Sequence, residues 1–323
     1  MLLQAALLAL HTAAGPPRAP GVLVDIGGQR IHLHCTGAGS PTVLLENGSG
    51  DFSVGWALVQ PGVGKFARVC SYDRGGYAWS DPGARPRTYA QLALEIHTAL
   101  IRAHIDPPYI VVGQSYGGLV VRGFASQYRE DVTGMVLVDA VHEDQRVVYG
   151  GQPHRLRDAA RGRSAPPPRI QLDTALLALT RDSAAPQSTE PLPAPLDRLP
   201  AAAQVIWRWA EAQPVYDSTA RAEMDWSPEE LARMHASRLA GRASLGNLPL
   251  IVLARTHGDY PDGMEISADS LERERRSLMA DLAGLSRNGV LIFAAHSGHN
   301  IHLEDPELVV HAIRTVVERA RHL

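Results

Sequence analysis

Cysteine is nearly absent: Cys35 and Cys70 are the only two in 323 residues, and they are not spaced as a CxxC pair. That argues against a structural zinc site, which draws on four closely grouped ligands. The pair reads as two buried thiols or as one disulfide, and a disulfide would fit an oxidising compartment. Charge of one sign is lacking too. Thirty-one Lys and Arg against 34 Asp and Glu give a formal charge of -3, with no run of like charge. Nothing draws the whole chain to nucleic acid, and the scattered arginines read as solvated helix faces. No heptad or longer repeat is visible. The apolar stretch Met1 to Ala14 (MLLQAALLALHTAA) is shorter than the roughly 20 residues of a spanning helix, so no stable membrane span is expected. It is like a secretory signal but lacks the positive first region of one. A trimmed signal or anchor is the favoured reading, a plain helix the alternative, and a secreted or periplasmic location is favoured over a cytoplasmic one.

What is present is ordinary for a globular chain: 45 % hydrophobic and 20 % charged residues, enough for a core of normal size. Gly21 to Cys35 alternates around Gly27-Gly28, as a hairpin does. TVLLE after Pro41, FARVCSY ending at Tyr72, YIVVG before Gln114, and GMVLV closed by Asp139 are short apolar runs fit for buried strands. Between them lie helical patterns at Thr88 to His104, with Leu92, Ile96, Leu100 and Ile101 on one face, and at Leu119 to Tyr128. Continuous apolar strands alternating with helices predict a parallel sheet covered on both faces.

The rhythm breaks from about Val141 to Asn247, where Pro, Ala and Arg dominate. Helices are expected at Ala201 to Ala212 and Pro228 to Leu239. Trp207 and Trp209, two residues apart, cannot share one helix face. The sheet pattern returns at LIVLA from Leu250 and VLIFA from Val290, and a helix from Pro306 to Ala320 closes the chain. The expected organisation is therefore 1–20 as a signal-like or anchor remnant with linker, 21–140 and 248–323 as the core, and 141–247 as a helical lid. An interruption that long inside a compact domain is usually functional.

Ser115 lies in Gly113-Gln114-Ser115-Tyr116-Gly117, directly after a strand and before a helix. That is the context of a nucleophile elbow, in which flanking glycines permit a strained serine and the helix dipole favours negative charge. A serine hydroxyl needs a base. His299, in Ser297-Gly298-His299-Asn300 after the last strand, is preferred to His296 and His302, while His32 and His34 read as surface or packing residues. The acid that orients the base could be Asp139 or Asp259, each following a strand, with Asp144 and Asp262 as outsiders. An oxyanion would be met by the backbone N–H groups of Tyr116 and of Ser49 in the loop after TVLLE.

These segments resemble the α/β-hydrolase fold over roughly Gly21 to the C-terminus. The residues that carry the likeness are Asn47-Gly48-Ser49-Gly50, Tyr72-Asp73-Arg74-Gly75 with Trp79-Ser80-Asp81, the Ser115 pentapeptide, and Gly298-His299 followed by Glu304 and Pro306. A narrower likeness is to bacterial α/β hydrolases with an Asp-x-x-His-x-Asp-Gln run, met here from Asp139 to Gln145. The resemblance implies an eight-stranded, mostly parallel sheet flanked by helices, with a lid between strands six and seven. It also favours Asp139 over Asp259, although the commoner arrangement puts the acid after the seventh strand. It makes strands two and four neighbours, so that a Cys35–Cys70 disulfide becomes geometrically thinkable. A Ser rather than Asp nucleophile argues against epoxide hydrolase or dehalogenase chemistry. The expectation is a serine esterase acting through an acyl-enzyme on a small, hydrophobic ester, with no metal or organic cofactor. An acyltransferase or thioesterase on the same triad, or a non-catalytic ligand-binding member of the fold, is the alternative. The oligomeric state is not legible.

Overall fold

The computed structural model describes residues 16–170, 190–256, 258, 260–261 and 263–322. The signal-like stretch Met1 to Ala14, and Asp259 and Asp262 with it, lie outside the described residues. Strands β1 (Val22–Asp25), β2 (Arg30–Thr36), β3 (Thr42–Glu46) and β4 (Val69–Tyr72) are followed by β5 (Tyr109–Gln114) and β6 (Val132–Val138). A two-stranded hairpin, β7 (Arg146–Tyr149) and β8 (Gln152–Arg155), stands apart. Strands β9 (Leu250–Arg255) and β10 (Gly289–Ala294) then complete an eight-stranded sheet of order β1-β2-β4-β3-β5-β6-β9-β10. Strand β2 runs antiparallel to β1 and β4, and the remaining pairings are parallel. The helices are α1 (Gln60–Val63), α2 (Tyr89–Arg102), α3 (Gly117–Gln127), α4 (Ala201–Glu211), α5 (Tyr216–Asp225), α6 (Ser227–Leu239), α7 (Ala268–Ala283), α8 (Ile301–Glu304) and α9 (Pro306–Ala320).

The apolar strands are buried because both faces of the sheet are covered, and the period of two divides their residues between two cores. Leu44, Val111, Leu137 and Val252 point to the side of α2, α3 and α7, where they meet Ile96, Phe124 and Met279. Val43, Val112, Val136 and Leu253 point to the other, where α9 supplies Val309, Ile313 and Val316. Helix α2 departs from its expected face in one place. Ile101 is 40 % exposed while Leu92, Ile96, Ala99 and Leu100 are buried. At about 100° per residue Ile101 lies about half a turn from Leu92, so the small Ala99 fills the core side instead. Thr88 caps this helix, accepting from Gln91 N at 3.2 Å.

Cys35 and Cys70 face each other across β2 and β4 and are joined as a disulfide. Between β6 and β9, the seventh strand of the sheet, the described insert contributes the β7–β8 hairpin and helices α4 to α6. Trp207 and Trp209 leave α4 in different directions and are both buried. Trp207 packs on Phe52 with ring centroids 4.6 Å apart, and Trp209 on Trp79 at 5.3 Å, both pairs tilted. The helix is thus wedged between two loops of the sheet, after β3 and after β4. Among the described residues no helix is long and apolar enough to cross a membrane.

Candidate active site

Strand β5 ends at Gln114 and α3 begins at Gly117, leaving Ser115 on the turn between them with φ of +51°. A side chain held there costs about 1–3 kcal/mol, a strain found mostly where function needs it. Two glycines make the turn possible by being bare. A Cβ on Gly113 would lie 2.5 Å from the carbonyl oxygen of Gly117, and one on Gly117 would lie 2.5 Å from that of Asn47. Backbone bonds fix the elbow from below: Ser115 N–H donates to Val138 at 3.1 Å, and the Ser115 carbonyl accepts from Val141 N–H at 3.0 Å.

His299 arrives on the loop after β10. The Glu304 carboxylate accepts from Gly298 N–H at 2.6 Å and so braces that loop. This gives a physical role to the Glu five residues beyond the histidine. His299 Nε2 is 2.9 Å from Ser115 Oγ, and Nδ1 is 2.7 Å from Asp139 Oδ2. Asp139, at the end of β6, also has a positive φ, +40°. Its Oδ1 accepts from Arg255 N–H at 3.1 Å and from Arg275 Nη1 at 3.2 Å. Arg255 Nη1 lies 3.2 Å from Oδ2. Burial alone would raise the Asp139 pKa, but the hydrogen bond from His299 and the two guanidinium groups outweigh it and hold the carboxyl below its ordinary value. An ionised Asp139 accepts Nδ1–H, which leaves Nε2 free to take the serine proton.

The rival histidines stand apart from this line. His296 is exposed. His302 is buried against Trp56, ring centroids 5.0 Å apart, and burial pushes its pKa down to about 3. Asp144 is engaged elsewhere, with Arg157, Arg238 and His235. His32, read as a surface or packing residue, is fully buried, with Nδ1 2.7 Å from Asp73. Ser49 is the exposed residue of an otherwise buried turn after Asn47-Gly48, and Tyr116 directly follows the elbow. The near contact of Gly117 with Asn47 brings these two segments side by side.

Sequence reasoning missed the groups behind that turn. Arg74, just past β4, is buried and spends all five guanidinium N–H groups. Nε donates to Glu223 Oε1 at 2.7 Å. Nη1 donates to Glu46 Oε1 at 2.6 Å and to the Asn47 carbonyl at 3.0 Å. Nη2 donates to the Gly48 carbonyl at 2.8 Å and to Glu223 Oε2 at 3.0 Å. Burial works against the charge of Arg74, but Glu223 and Glu46 prevail and hold its pKa well above the ordinary value. Glu46 also accepts from the Tyr72 hydroxyl, and its burial raises its pKa to about 7 against the pull of Arg74. Asp51, in the same loop, is raised to about 6 by burial, opposed by the charges of Arg74 and His299. The signals available were the Arg of Asp73-Arg74-Gly75-Gly76 and the Glu that ends β3, but the carboxylate that completes the arrangement around Arg74, Glu223, lies 149 residues beyond it.

Among the described residues no group of three or more His, Cys, Asp or Glu is arranged to hold a metal ion. A cleft of about 380 Å³ between α3 and α6 includes none of Ser115, His299 and Asp139 in its lining.

Comparison with known proteins adds a family to this geometry. A family model described as alpha/beta hydrolase fold matches residues 41–239. YqjL of Bacillus subtilis, an uncharacterized protein, is 25 % identical over 292 residues, covering 90 % of this chain and 89 % of its own. A probable transporter of Hormonema carpetanum, efuK, is 35 % identical over 129 residues, 38 % of this chain, and the match spans only 18 % of that relative's length. Among solved structures, a thermophilic esterase from Thermogutta terrifontis superposes with a TM-score of 0.58 at 17 % identity, over 90 % of this chain and 94 % of that one. At that identity the likeness speaks to the fold.

Proposed function

Because the chain belongs to the α/β-hydrolase fold family, we propose that it is a serine hydrolase that cleaves carboxylic esters through an acyl-enzyme. The observation that carries the reading is the unbroken line from Ser115 Oγ through His299 to Asp139, with separations of 2.9 and 2.7 Å. Ser115 Oγ attacks the ester carbonyl carbon as its proton passes to His299 Nε2. The imidazolium so formed is stabilised by the Asp139 carboxylate. The carbonyl oxygen becomes an oxyanion, held by the N–H groups of Ser49 and Tyr116. Collapse breaks the bond to the leaving oxygen, which takes the proton from His299 and departs as the alcohol. Water then attacks the acyl-enzyme, giving its proton to His299. The second collapse returns that proton to Ser115 Oγ and releases the acid. No step calls for a metal or organic cofactor.

The insert supplies a lid over this chemistry. The aromatic layer in which its Trp207 and Trp209 pack with Phe52 and Tyr77 favours a substrate with an apolar acyl or alkyl part. Hydrolysis of p-nitrophenyl acetate and butyrate, with Ser115→Ala as control, tests the reading. The expected result is turnover and fluorophosphonate labelling in the wild type and neither in the variant. No turnover and no labelling in either protein would sink it and favour a non-catalytic binding role.

A further inference from the structure

A fully buried ion cluster joins the insert to the sheet, and that cluster ends on the turn that bears Ser49. Arg74 uses every N–H it has, two on Glu223 of α5, one on Glu46, and one each on the carbonyls of Asn47 and Gly48. In a planar trans peptide the C=O of one residue and the N–H of the next point in opposite directions. The guanidinium that grips the Gly48 carbonyl therefore fixes the direction of the Ser49 N–H, and its hold on the Asn47 carbonyl does the same for the Gly48 N–H. Gly48 itself lies close to the strand end before the nucleophile: a Cβ there would crowd the Gln114 carboxamide oxygen, so that side chain would have to shift. The turn is thus pressed against the elbow from one side and gripped from behind on the other.

We propose that Arg74 is a positioning residue for the oxyanion site and that Glu223, from the insert, completes it. This rests on the ester hydrolase reading and on Ser49 N–H as an oxyanion donor. Glu223 presents two oxygens to the same guanidinium, a fork that orients Arg74 as well as pairing its charge. Tyr77 Oη donates to Glu223 Oε2 at 3.1 Å and Tyr116 Oη lies 3.4 Å from the Glu223 carbonyl, so α5 is held at both the side chain and the backbone. The insert then does more than cover the site: part of the geometry that meets the developing negative charge is built by it. A lysine at position 74 would have three donors for five acceptors and no planar fork.

The test compares wild type, Arg74→Lys and Glu223→Gln as full chains on p-nitrophenyl butyrate. Each rate is expressed per site titrated with a fluorophosphonate, so that lost folding is separated from lost catalysis. Binding of an aryl boronic acid, which mimics the tetrahedral adduct, is measured alongside. Removing one oxyanion donor costs about 10²–10³ in kcat. Arg74→Lys should accordingly lower kcat about 100-fold with KM changed less than about threefold, and weaken the boronate in parallel. Glu223→Gln, which keeps the volume and loses the charge, should lower kcat about tenfold with the same split. A purely structural clamp would lower the titratable fraction and leave kcat per site intact, and that result would overturn the proposal, as would a rise in KM with kcat unchanged. A wild type that neither turns over nor labels overturns the hydrolase reading and this proposal together. An active wild type with unaffected variants overturns this proposal alone.

Discussion

Replacing Asp139 with asparagine changes no volume and removes one charge from the most constrained carboxylate in the site. At present Oδ2 accepts His299 Nδ1–H at 2.7 Å while Oδ1 takes Arg255 N–H and Arg275 Nη1 at 3.1 and 3.2 Å. An asparagine has one acceptor oxygen for these three donors and for Arg255 Nη1, which lies 3.2 Å from Oδ2. Arg275 is 4 % exposed and cannot turn to water, so it and the Arg255 amide should claim the oxygen and leave the NH2 facing His299. Nδ1 must then accept, the ring proton moves to Nε2, and the base is blocked where Ser115 needs it. In Ser-His-Asp enzymes that tautomer error costs about 10⁴ in kcat, or about 5 kcal/mol of barrier at 1.36 kcal/mol per decade. The assay is kcat on p-nitrophenyl butyrate at pH 7.5, per folded protein, with Asp259→Asn as the comparison. A loss of less than tenfold in Asp139→Asn, with a large loss in Asp259→Asn, would refute the reasoning and move the acid to the loop after β9. Stability gives a second readout. The Asp139 pKa is lowered by folding, so its contribution is present above the ordinary carboxyl value of 3.8 and is lost as pH falls through the lower folded value. The denaturant midpoints of wild type and variant should therefore draw together below about pH 4.

Ser115→Ala should abolish labelling and lower kcat at least 10³-fold while leaving the melting temperature within about 2 °C, since Ser115 is only half-buried; residual labelling at another residue would contradict the assignment of the nucleophile. Cys35→Ser with Cys70→Ser should lose about 4 kcal/mol, the loop entropy for cysteines 35 residues apart, read as a fall of several degrees in Tm that reductant reproduces in the wild type; thiol titration of the unreduced, denatured wild type should find no free thiol. His302→Phe addresses the acid limb of stability. Burial lowers the His302 pKa to about 3, so the unfolded chain binds the extra proton between about pH 3 and 6.5 and folding weakens as pH falls through that window. The variant should lose less stability than wild type between pH 6.5 and 4, and equal losses would show that His302 is not the group responsible.

How far the site was legible follows from what each residue does locally. Ser115 and His299 carry short-range signatures, a bare turn after an apolar strand and a Gly-His-Asn loop braced by Glu304, and both could be read from neighbours in sequence. Asp139 was readable as the end of β6, but choosing it over Asp259 needed the family likeness. The sheet was readable because β3, β5, β6 and β9 are buried on both faces and so carry continuous apolar runs. Helix α5 was missed for the opposite reason: the residues it buries are Thr219 and Glu223, so its inward face shows no apolar period. Helix α7 places Leu271, Leu278, Met279 and Leu282 inward, but its pattern is broken where Arg275 reaches Asp139. The β7–β8 hairpin had an overlooked cue in Gly150-Gly151, both with positive φ. Two of these gaps coincide with the buried charged side chains Glu223 and Arg275, which find ionic partners where a regular helix would bury apolar ones.

The five bonds of Arg74 also limit how this scaffold can be remodelled. Inserts in this position are attractive units to exchange when a new specificity is wanted, because each is one continuous stretch of chain between the neighbouring strands β6 and β9. Here the exchange is not free. A transplanted insert without a carboxylate in the place of Glu223 would strand a buried cation on Glu46 and two carbonyls, a loss on the order of 3–5 kcal/mol. A chimera should therefore be designed outward from that carboxylate, with the remaining insert sequence varied around it.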